Sequence, residues 1–364
     1  MAHADSLAVV PGLNHRYEHV FSVIVKRTYR IVPNAAAERA DEDKPLLKID
    51  KYYDDGDPEW ATVQFESEVA PYKASTDVVV IGKAYAPRGV PTAQMTVGVQ
   101  VGDRKKTLVV TGDRHCGYRE GQPPVFSGPD PFTEMEIRYE RAYGGRDEKS
   151  IPDIPFLYPR NFMGAGVVLR NVKEAVEGLP LPNIEDPQDL ITPERLFVEE
   201  PDRWHLQPLP QGFGWRQRTW YPRAALLGAY PAFLEPGTVT AEERMGLLPK
   251  DHVALAKQSR LRPMDAQFAN GASLGMIFST LEGNEPVVLG RLTPDGLLKF
   301  QLPGDRPRIG LDLGQGMQEL EPQLHTVSIR PDDLEVDLIW RGAQTYPGYR
   351  WASKNLTRLE AEVQ

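Results

Sequence analysis

Residues 95–111 carry alternating apolar and polar side chains on both sides of the pair Gly102-Asp103. The apolar positions before this pair are Met95, Val97, Val99 and Val101. Because side chains two residues apart share one face of a β-strand, the pattern predicts two strands that each bury one face. Glycine readily adopts a positive φ, so Gly102-Asp103 predicts the tight turn of a β-hairpin.

Further strands are predicted on both sides of this hairpin. The segments with strand-like patterns are residues 21–31, 63–69, 78–86, 134–140, 276–278, 287–289, 297–300, 326–329 and 334–340. The 33 prolines and 31 glycines among 364 residues favour short strands and ordered loops over long helices. We therefore expect a mainly-β fold of packed antiparallel sheets, similar to a sandwich, with a few short helices.

We predict a single unit over residues 1–364 with four parts. Residues 17–145 form an N-terminal β meander, residues 146–270 an ordered irregular region rich in Pro, Gly and aromatic side chains, residues 271–345 the C-terminal strands, and residues 346–364 a tail. Residues 1–16 are expected to be an unanchored lead. Thr240 and Glu243 match a capping box, so short helices are expected within residues 240–260, which we interpret as an insert.

Charge and composition exclude several classes of protein. A net charge of −9 argues against nucleic acid as the main partner. No apolar run approaches the ~20 residues of a membrane helix, and the first residues lack a secretion signal, so we expect a cytoplasmic protein. Cys116 is the single cysteine, which excludes an intrachain disulfide framework. Zinc-ligand spacings and phosphate-binding loops are missing, so neither a metal nor a cofactor is expected.

The segment Gly271-Ala272-Ser273-Leu274-Gly275 matches the nucleophile elbow of serine hydrolases, and Asp312 and His325 follow in the order expected there. An elbow requires a buried strand before the serine and a helix after it, and neither is predicted here. A structural turn is therefore the favoured interpretation. A hydrolase that uses Ser273, His325 and Asp312 remains an alternative, and so does a carbohydrate-active β-sandwich with paired carboxylates.

Aromatic side chains are concentrated in the irregular region. They are Trp204, Trp215, Trp220, Tyr221 and Tyr230. Large aromatic residues anchor protein interfaces, so we predict Trp215, Trp220, Tyr221 and Tyr230 as candidate partner-binding residues. The competing interpretation is that these side chains form the packed interior of the irregular region. We favour it, because little else could order such a segment.

Several segments, taken in order, resemble the domain-of-unknown-function 2169 family. They are Ala70-Pro71-Tyr72-Lys73-Ala74-Ser75-Thr76-Asp77 with the following residues to Pro87, Val110-Thr111-Gly112-Asp113-Arg114, Pro131-Phe132, Tyr139-Glu140-Arg141-Ala142-Tyr143-Gly144-Gly145, Leu181-Pro182-Asn183-Ile184-Glu185, Trp220-Tyr221-Pro222-Arg223, Phe268-Ala269-Asn270-Gly271-Ala272 and Trp340-Arg341-Gly342. The resemblance covers most of the chain. Departures at residues 161–164, 210–214, 228–231 and 325–326 concern partner specificity more than fold.

The resemblance implies a function without catalysis. Family members are associated with bacterial type VI secretion, as cytoplasmic adaptors or chaperones that hold an effector and help to load it on the spike. The implied partner is the effector, through its N-terminal region or its proline-alanine-alanine-arginine repeat tip domain, with the spike protein as a further candidate. Neither nucleic acid nor a membrane is implied as a partner.

Overall fold

The computed structural model describes residues 4–14, 18–53, 60–151, 153–221, 223, 269–314, 316–348 and 359–363. Of the described residues, 42% lie in strands and 8% in helices, and the strands form several antiparallel sheets, so the predicted mainly-β fold is confirmed. Among the described residues, no helix has the length and apolar content needed to cross a membrane. The helices predicted within residues 240–260 lie outside the described residues.

The described residues form 25 strands, numbered here in chain order. They are β1 (Leu7–Leu13), β2 (His19–Arg30), β3 (Glu38–Arg39), β4 (Lys51–Tyr52), β5 (Val63–Phe65), β6 (Thr76–Val80), β7 (Lys83–Tyr85), β8 (Gln94–Val101), β9 (Arg104–Thr111), β10 (Cys116–Gly117), β11 (Val125–Phe126), β12 (Glu134–Glu136), β13 (Tyr143–Gly144), β14 (Arg146–Asp147), β15 (Phe156–Leu157), β16 (Ala165–Gly166), β17 (Ile184–Glu185), β18 (Ile277–Phe278), β19 (Pro286–Gly290), β20 (Leu297–Gln301), β21 (Ile309–Leu313), β22 (Gln318–Leu320), β23 (Gln323–Arg330), β24 (Glu335–Thr345) and β25 (Leu359–Val363).

Among the residues that the structure describes, helical structure is limited to short pieces. The described α-helix, α1, spans Lys173–Val176, and 3₁₀ turns occupy Ala4–Ser6, Pro87–Gly89, Tyr139–Arg141, Pro193–Arg195 and Pro201–Leu206.

A seven-stranded sheet has the order β1-β2-β24-β23-β6-β18, and β3 also pairs with β2. Its pairs are antiparallel except β6 and β23, which run parallel from Asp77 opposite Thr326 to Val80 opposite Ile329. The expected unanchored lead at residues 1–16 is wrong, because β1 pairs with β2 along its whole length. Pro11 and Gly12 conceal this strand in the sequence, since both residues are unfavourable in strands.

A five-stranded sheet has the order β17-β9-β8-β19-β20. The predicted hairpin is its centre, with β8 and β9 paired from Gln94 opposite Thr111 to Val101 opposite Arg104. Gly102 has a φ of +59°, as the predicted turn requires. The strands predicted at residues 326–329 and 334–340 are also confirmed, as the antiparallel pair β23 and β24.

The main core lies between these two sheets. Val23 and Val25 of β2 share one hydrophobic cluster with Val97 of β8 and Leu108 of β9, all at most 1% exposed. Ile24, between the two valines, packs into a separate cluster with Leu46 and Ile339. Both faces of the seven-stranded sheet are therefore covered, which explains why β2 is buried almost throughout.

Several predicted strands are shorter than expected. The apolar run at residues 78–86 divides into β6 and β7 around Ile81-Gly82, and the strand expected at residues 134–140 ends at Glu136 and is followed by a 3₁₀ turn.

Residues 139–223, called the middle segment below, contain short strand pairs and a second hydrophobic cluster that includes Tyr143, Tyr158 and Trp204. Within the predicted tail, β25 pairs with β21.

Candidate functional site

The predicted partner-binding aromatic residues are divided among three hydrophobic clusters. Trp215 packs in the main core, Trp220 against Tyr139, and Tyr221 in the second cluster of the middle segment. Their exposed fractions are 4%, 1% and 5%, so these side chains lie inside the protein. Tyr230 lies outside the described residues. Their part in partner binding stays a prediction.

Trp220 belongs to a column of four aromatic rings that leads from the interior to the surface. The ring centroids of Tyr139 and Trp220 are 5.0 Å apart, those of Trp220 and Phe162 are 6.2 Å apart, and those of Phe162 and Trp60 are 6.2 Å apart. Each pair meets edge to face, the arrangement that the charge distribution of aromatic rings favours. Trp60, at the outer end, is 38% exposed.

The side chain of Arg146 lies over the outermost ring of the column. The guanidinium carbon of Arg146 lies 4.3 Å from the centroid of the Trp60 ring. Arg146 on β14 is paired with Leu157 on β15, so their side chains share a face, and Leu157 is 40% exposed. We call Trp60, Arg146, Leu157 and Phe162 the Trp60 patch. Tryptophan and arginine are enriched at the energetic centres of protein interfaces, so the patch can serve as a contact surface.

The inner end of the column reaches Ser273. Burial raises the pKa of the Tyr139 phenol, and the Ser273 hydroxyl beside it acts in the opposite direction. Lys106 Nζ donates hydrogen bonds to Ser273 Oγ at 2.6 Å and to the Leu274 carbonyl at 2.7 Å. Burial lowers the pKa of Lys106 to about 7, and the charge of Arg216 contributes.

The backbone around Ser273 forms a turn between the two sheets. The Ser273 N–H donates to the Gly214 carbonyl at 3.1 Å, and the Met276 N–H donates to the Ser273 carbonyl at 2.9 Å. Ser273 has no exposed surface. Its hydroxyl and its amide therefore both serve contacts within the protein.

The three residues of the hydrolase alternative lie in three separate hydrogen-bond groups. Ser273 has a lysine partner, while His325 Nε2 lies 3.3 Å from Gln323 Oε1 on β23. Asp312 Oδ1 accepts the N–H groups of Gly314 at 2.6 Å and Gly316 at 3.0 Å. The chain order of a serine hydrolase thus does not correspond to a hydrogen-bonded triad among the described residues.

A buried ion network fixes the glycine of the Gly271-Ala272-Ser273 segment. Glu66 accepts hydrogen bonds from Arg223 at 2.7 Å and Arg218 at 2.6 Å. Burial alone would raise the pKa of Glu66, but Arg223, Lys73 and Arg218 outweigh it and lower the pKa. A Cβ on Gly271 would lie 2.4 Å from Glu66 Oε2. Close packing against this carboxylate therefore explains the glycine without a nucleophile elbow.

Asp77 attaches the same segment to the seven-stranded sheet. Asp77 of β6 accepts the backbone N–H groups of Gly271 and Ala272, both at 3.1 Å, and pairs with Lys73 at 2.6 Å. Lys73 Nζ lies 4.8 Å from the centroid of the Trp215 ring. Trp215, a predicted binding residue, is thus part of the support of the Ser273 turn.

Sequence reasoning missed Trp60 and Arg146. Trp60 precedes the three-residue strand β5, and Arg146 lies in the two-residue strand β14, so neither belongs to a run long enough to show a period. In the part of the chain that the structure describes, no three His, Cys, Asp or Glu side chains are grouped so that they could hold a metal ion.

Comparison with protein-family models gives one finding. The model described as "Uncharacterized protein conserved in bacteria (DUF2169)" matches residues 16–341. Comparisons with curated proteins and with solved structures gave no match.

Proposed function

Since the chain belongs to this bacterial family, DUF2169, we propose that it is a cytoplasmic adaptor or chaperone for a type VI secretion effector. In this proposal the chain binds the N-terminal region or the proline-alanine-alanine-arginine repeat tip domain of the effector. It shields that region and helps to load the effector on the spike, with the spike protein as a second partner. The resemblance of the sequence segments supplies the class of partner.

The Trp60 patch is the observation that carries the proposal. A partly exposed tryptophan with an arginine over its ring is the kind of anchor that dominates binding energy in interfaces. Phe162, Trp220 and Tyr139 support Trp60 from below, so the ring is held in place before a partner arrives. Preorganisation of this kind reduces the entropy lost on binding.

The surroundings of Ser273 support a role without catalysis. A nucleophile elbow needs an accessible serine whose neighbouring backbone N–H groups stabilise an oxyanion. Here the hydroxyl is buried against Lys106, and the Ser273 N–H is bonded to Gly214. We therefore propose that the chain acts by presenting a surface to another protein.

Co-expression with the effector encoded beside its gene tests the proposal. We expect the wild-type chain to keep the effector soluble and to co-purify with it. Trp60→Ala should reduce the recovered effector about 30-fold, because an interface anchor contributes about 2 kcal/mol or more. The measurement is the ratio of effector to adaptor after affinity purification.

The matched control is Leu297→Ala, which removes an apolar side chain that is 57% exposed on β20. It should leave effector recovery unchanged. If both variants lose the effector, the loss reflects general surface hydrophobicity and not a specific anchor. If Trp60→Ala recovers the effector normally, the Trp60 patch is not part of the interface. An effector that never associates with the wild-type chain would contradict the adaptor function itself.

A further inference from the structure

The strand β1 forms one edge of the seven-stranded sheet. Among the described residues, the backbone of Leu7–Leu13 pairs with β2 alone, so the outer side of β1 carries no further strand. A sheet edge of this kind presents a row of N–H and C=O groups that another strand can bind. Native proteins often protect such a row with charged side chains, and β1 has none.

The hydrogen bonds at the adjoining turn show which backbone groups of β1 face outward. The Asn14 N–H donates to the Glu18 carbonyl at 3.1 Å, in the same register that places Leu13 opposite His19. Antiparallel pairs alternate between bonded and unbonded positions, so every second residue of β1 directs its N–H and C=O away from β2. The outward-facing residues are Leu7, Val9, Pro11 and Leu13.

Two observations agree with this alternation. Pro11 has no N–H, and proline is tolerated on an edge strand where its nitrogen faces away from the sheet. Asp5 belongs to the same set of positions, and its carbonyl accepts the Leu46 N–H at 2.8 Å from outside the sheet. The unpaired row therefore starts after Asp5 and includes both backbone groups of Leu7 and of Val9.

Both faces of β1 are apolar. Leu7 and Val9 pack against the main core, while Ala8 and Val10 pack against the separate cluster that contains Ile24. All four side chains are only partly buried, so both clusters end at this edge with some apolar surface exposed. A strand added here would be covered on both faces, and strands of that kind are typically continuous apolar runs.

A short stretch of chain connects this edge with the Trp60 patch. Residues 60–71 run from Trp60 through β5 to Pro71. A Cβ on Gly12 would lie 2.4 Å from Pro71 Cβ, so Pro71 lies directly against β1. A stretch of this length spans at most about 40 Å, so one partner of domain size can contact both surfaces.

We propose that the effector adds an extended, uncharged apolar segment to the outer edge of β1, as a second contact beside the Trp60 patch. This inference rests on the proposed adaptor function. The Trp60 patch holds the same partner and raises the local concentration of the segment, so the added strand needs no large area of its own.

A second copy of the chain fits the edge less well. Pro11 lacks a donor and Gly12 lacks a side chain, so a symmetric pair of β1 strands would join only about four residues from each chain. Stable interfaces use roughly 20–30 residues on each side.

Amide hydrogen exchange of the full chain, followed residue by residue by NMR, tests the proposal. In the free chain the N–H groups of Leu7 and Val9 should exchange rapidly, while those of Ala8 and Val10, which face β2, should be protected. Binding of the full-length effector encoded beside the gene should slow exchange at Leu7 and Val9 about tenfold or more, because each N–H gains a hydrogen bond.

Three results would overturn the proposal. If the effector binds and exchange at Leu7 and Val9 is unchanged, strand addition is wrong and the adaptor function stands. If no effector associates with the wild-type chain, both proposals are wrong. If Leu7 and Val9 are protected in the free chain and lose that protection on dilution, a second copy occupies the edge.

A variant separates backbone pairing from side-chain contact. Val9→Pro removes an outward N–H and leaves the bonds to β2, as Pro11 does two residues further along. It should reduce effector recovery about tenfold or more, whereas Val9→Ala keeps the N–H and should reduce recovery about threefold at most. Equal recovery from the two variants would contradict strand addition. Urea unfolding checks that Val9→Pro folds, and if it does not, the exchange measurement on the wild-type chain decides.

Discussion

The two-sheet body and the middle segment are held together by different means. In the body, formed by the seven-stranded and five-stranded sheets, long strands pair with one another and apolar side chains fill the space between them. In the middle segment most strands have two residues, and buried polar side chains bind the backbone directly. Asn161, Asp147 and Arg160 are three such residues.

This difference predicts which mutations should destabilise each region. Apolar packing is spread over many side chains, so truncation of one leaves a cavity but keeps the strand pairing. A buried polar side chain that bonds several backbone groups concentrates the stability of a loop in one residue, because each group left unpaired has a cost. Mutations in the two regions should therefore differ in kind as well as in size.

The largest loss of stability is expected from Leu108→Ala in the body. Leu108 has no exposed surface and lies in the main core on β9, so truncation should lower the free energy of unfolding by about 3 kcal/mol. Urea unfolding followed by circular dichroism measures this value. Leu297→Ala on the exposed face of β20 is the control and should change little. Equal losses in both variants would contradict a core between the sheets.

A somewhat smaller loss, about 2 kcal/mol, is expected from Asn161→Leu in the middle segment. Asn161 is fully buried, and its Nδ2 donates to the carbonyls of Tyr139 at 2.8 Å and Tyr143 at 3.1 Å. Leucine fills a similar volume but satisfies neither carbonyl. Asn284→Leu changes an exposed asparagine and serves as the control in the same unfolding measurement. Unchanged stability in Asn161→Leu would show that apolar packing supports this segment as it does the body.

The smallest effect, about 1 kcal/mol at pH 7, is expected from Asp147→Asn. Burial raises the pKa of Asp147, but hydrogen bonds from Ser150 and from the backbone N–H groups of Leu169 and Lys149 lower it more, so the net shift is downward. A lowered pKa in the folded state contributes stability above the unfolded value of about 4, and this contribution is lost as the pH falls through the folded value.

The difference between wild type and Asp147→Asn should accordingly shrink when unfolding is measured at successively lower pH below about 4. Asp41→Asn removes one carboxylate at an exposed position and is measured over the same pH range as the matched control. A difference that is constant with pH would mean that the shape of the side chain matters at this position and its charge does not.

The body could be predicted from the sequence because its contacts repeat. Val97, Val99 and Val101 alternate with polar residues, and Gly102 marks the turn, so both the strands and their pairing follow from a period of two. The prediction missed β1, where Pro11 and Gly12 interrupt the signal. It also predicted β6 and β7 as a single strand, because a continuous run of β-branched residues does not show where one strand ends and the next begins.

The middle segment and the candidate site could be predicted only in part. The aromatic composition predicted an ordered irregular region, but hydrogen bonds from Asn161 to two backbone carbonyls leave no period in the sequence. Trp220 was found as a member of the aromatic group, whereas its depth and its link through Phe162 to Trp60 depend on contacts over about 160 residues of chain. Contacts between residues so far apart in the sequence produce no local pattern that could predict them.

The seven-stranded sheet interleaves strands from the two ends of the chain, since β23 and β24 lie between β2 and β6. During synthesis, β2 and β6 therefore emerge long before the strands that cover their edges, which become available only once residue 345 has left the ribosome. Until then the nascent chain exposes unpaired apolar strands, a state prone to aggregation. A protein proposed to protect another would itself pass through a period in which it depends on protection.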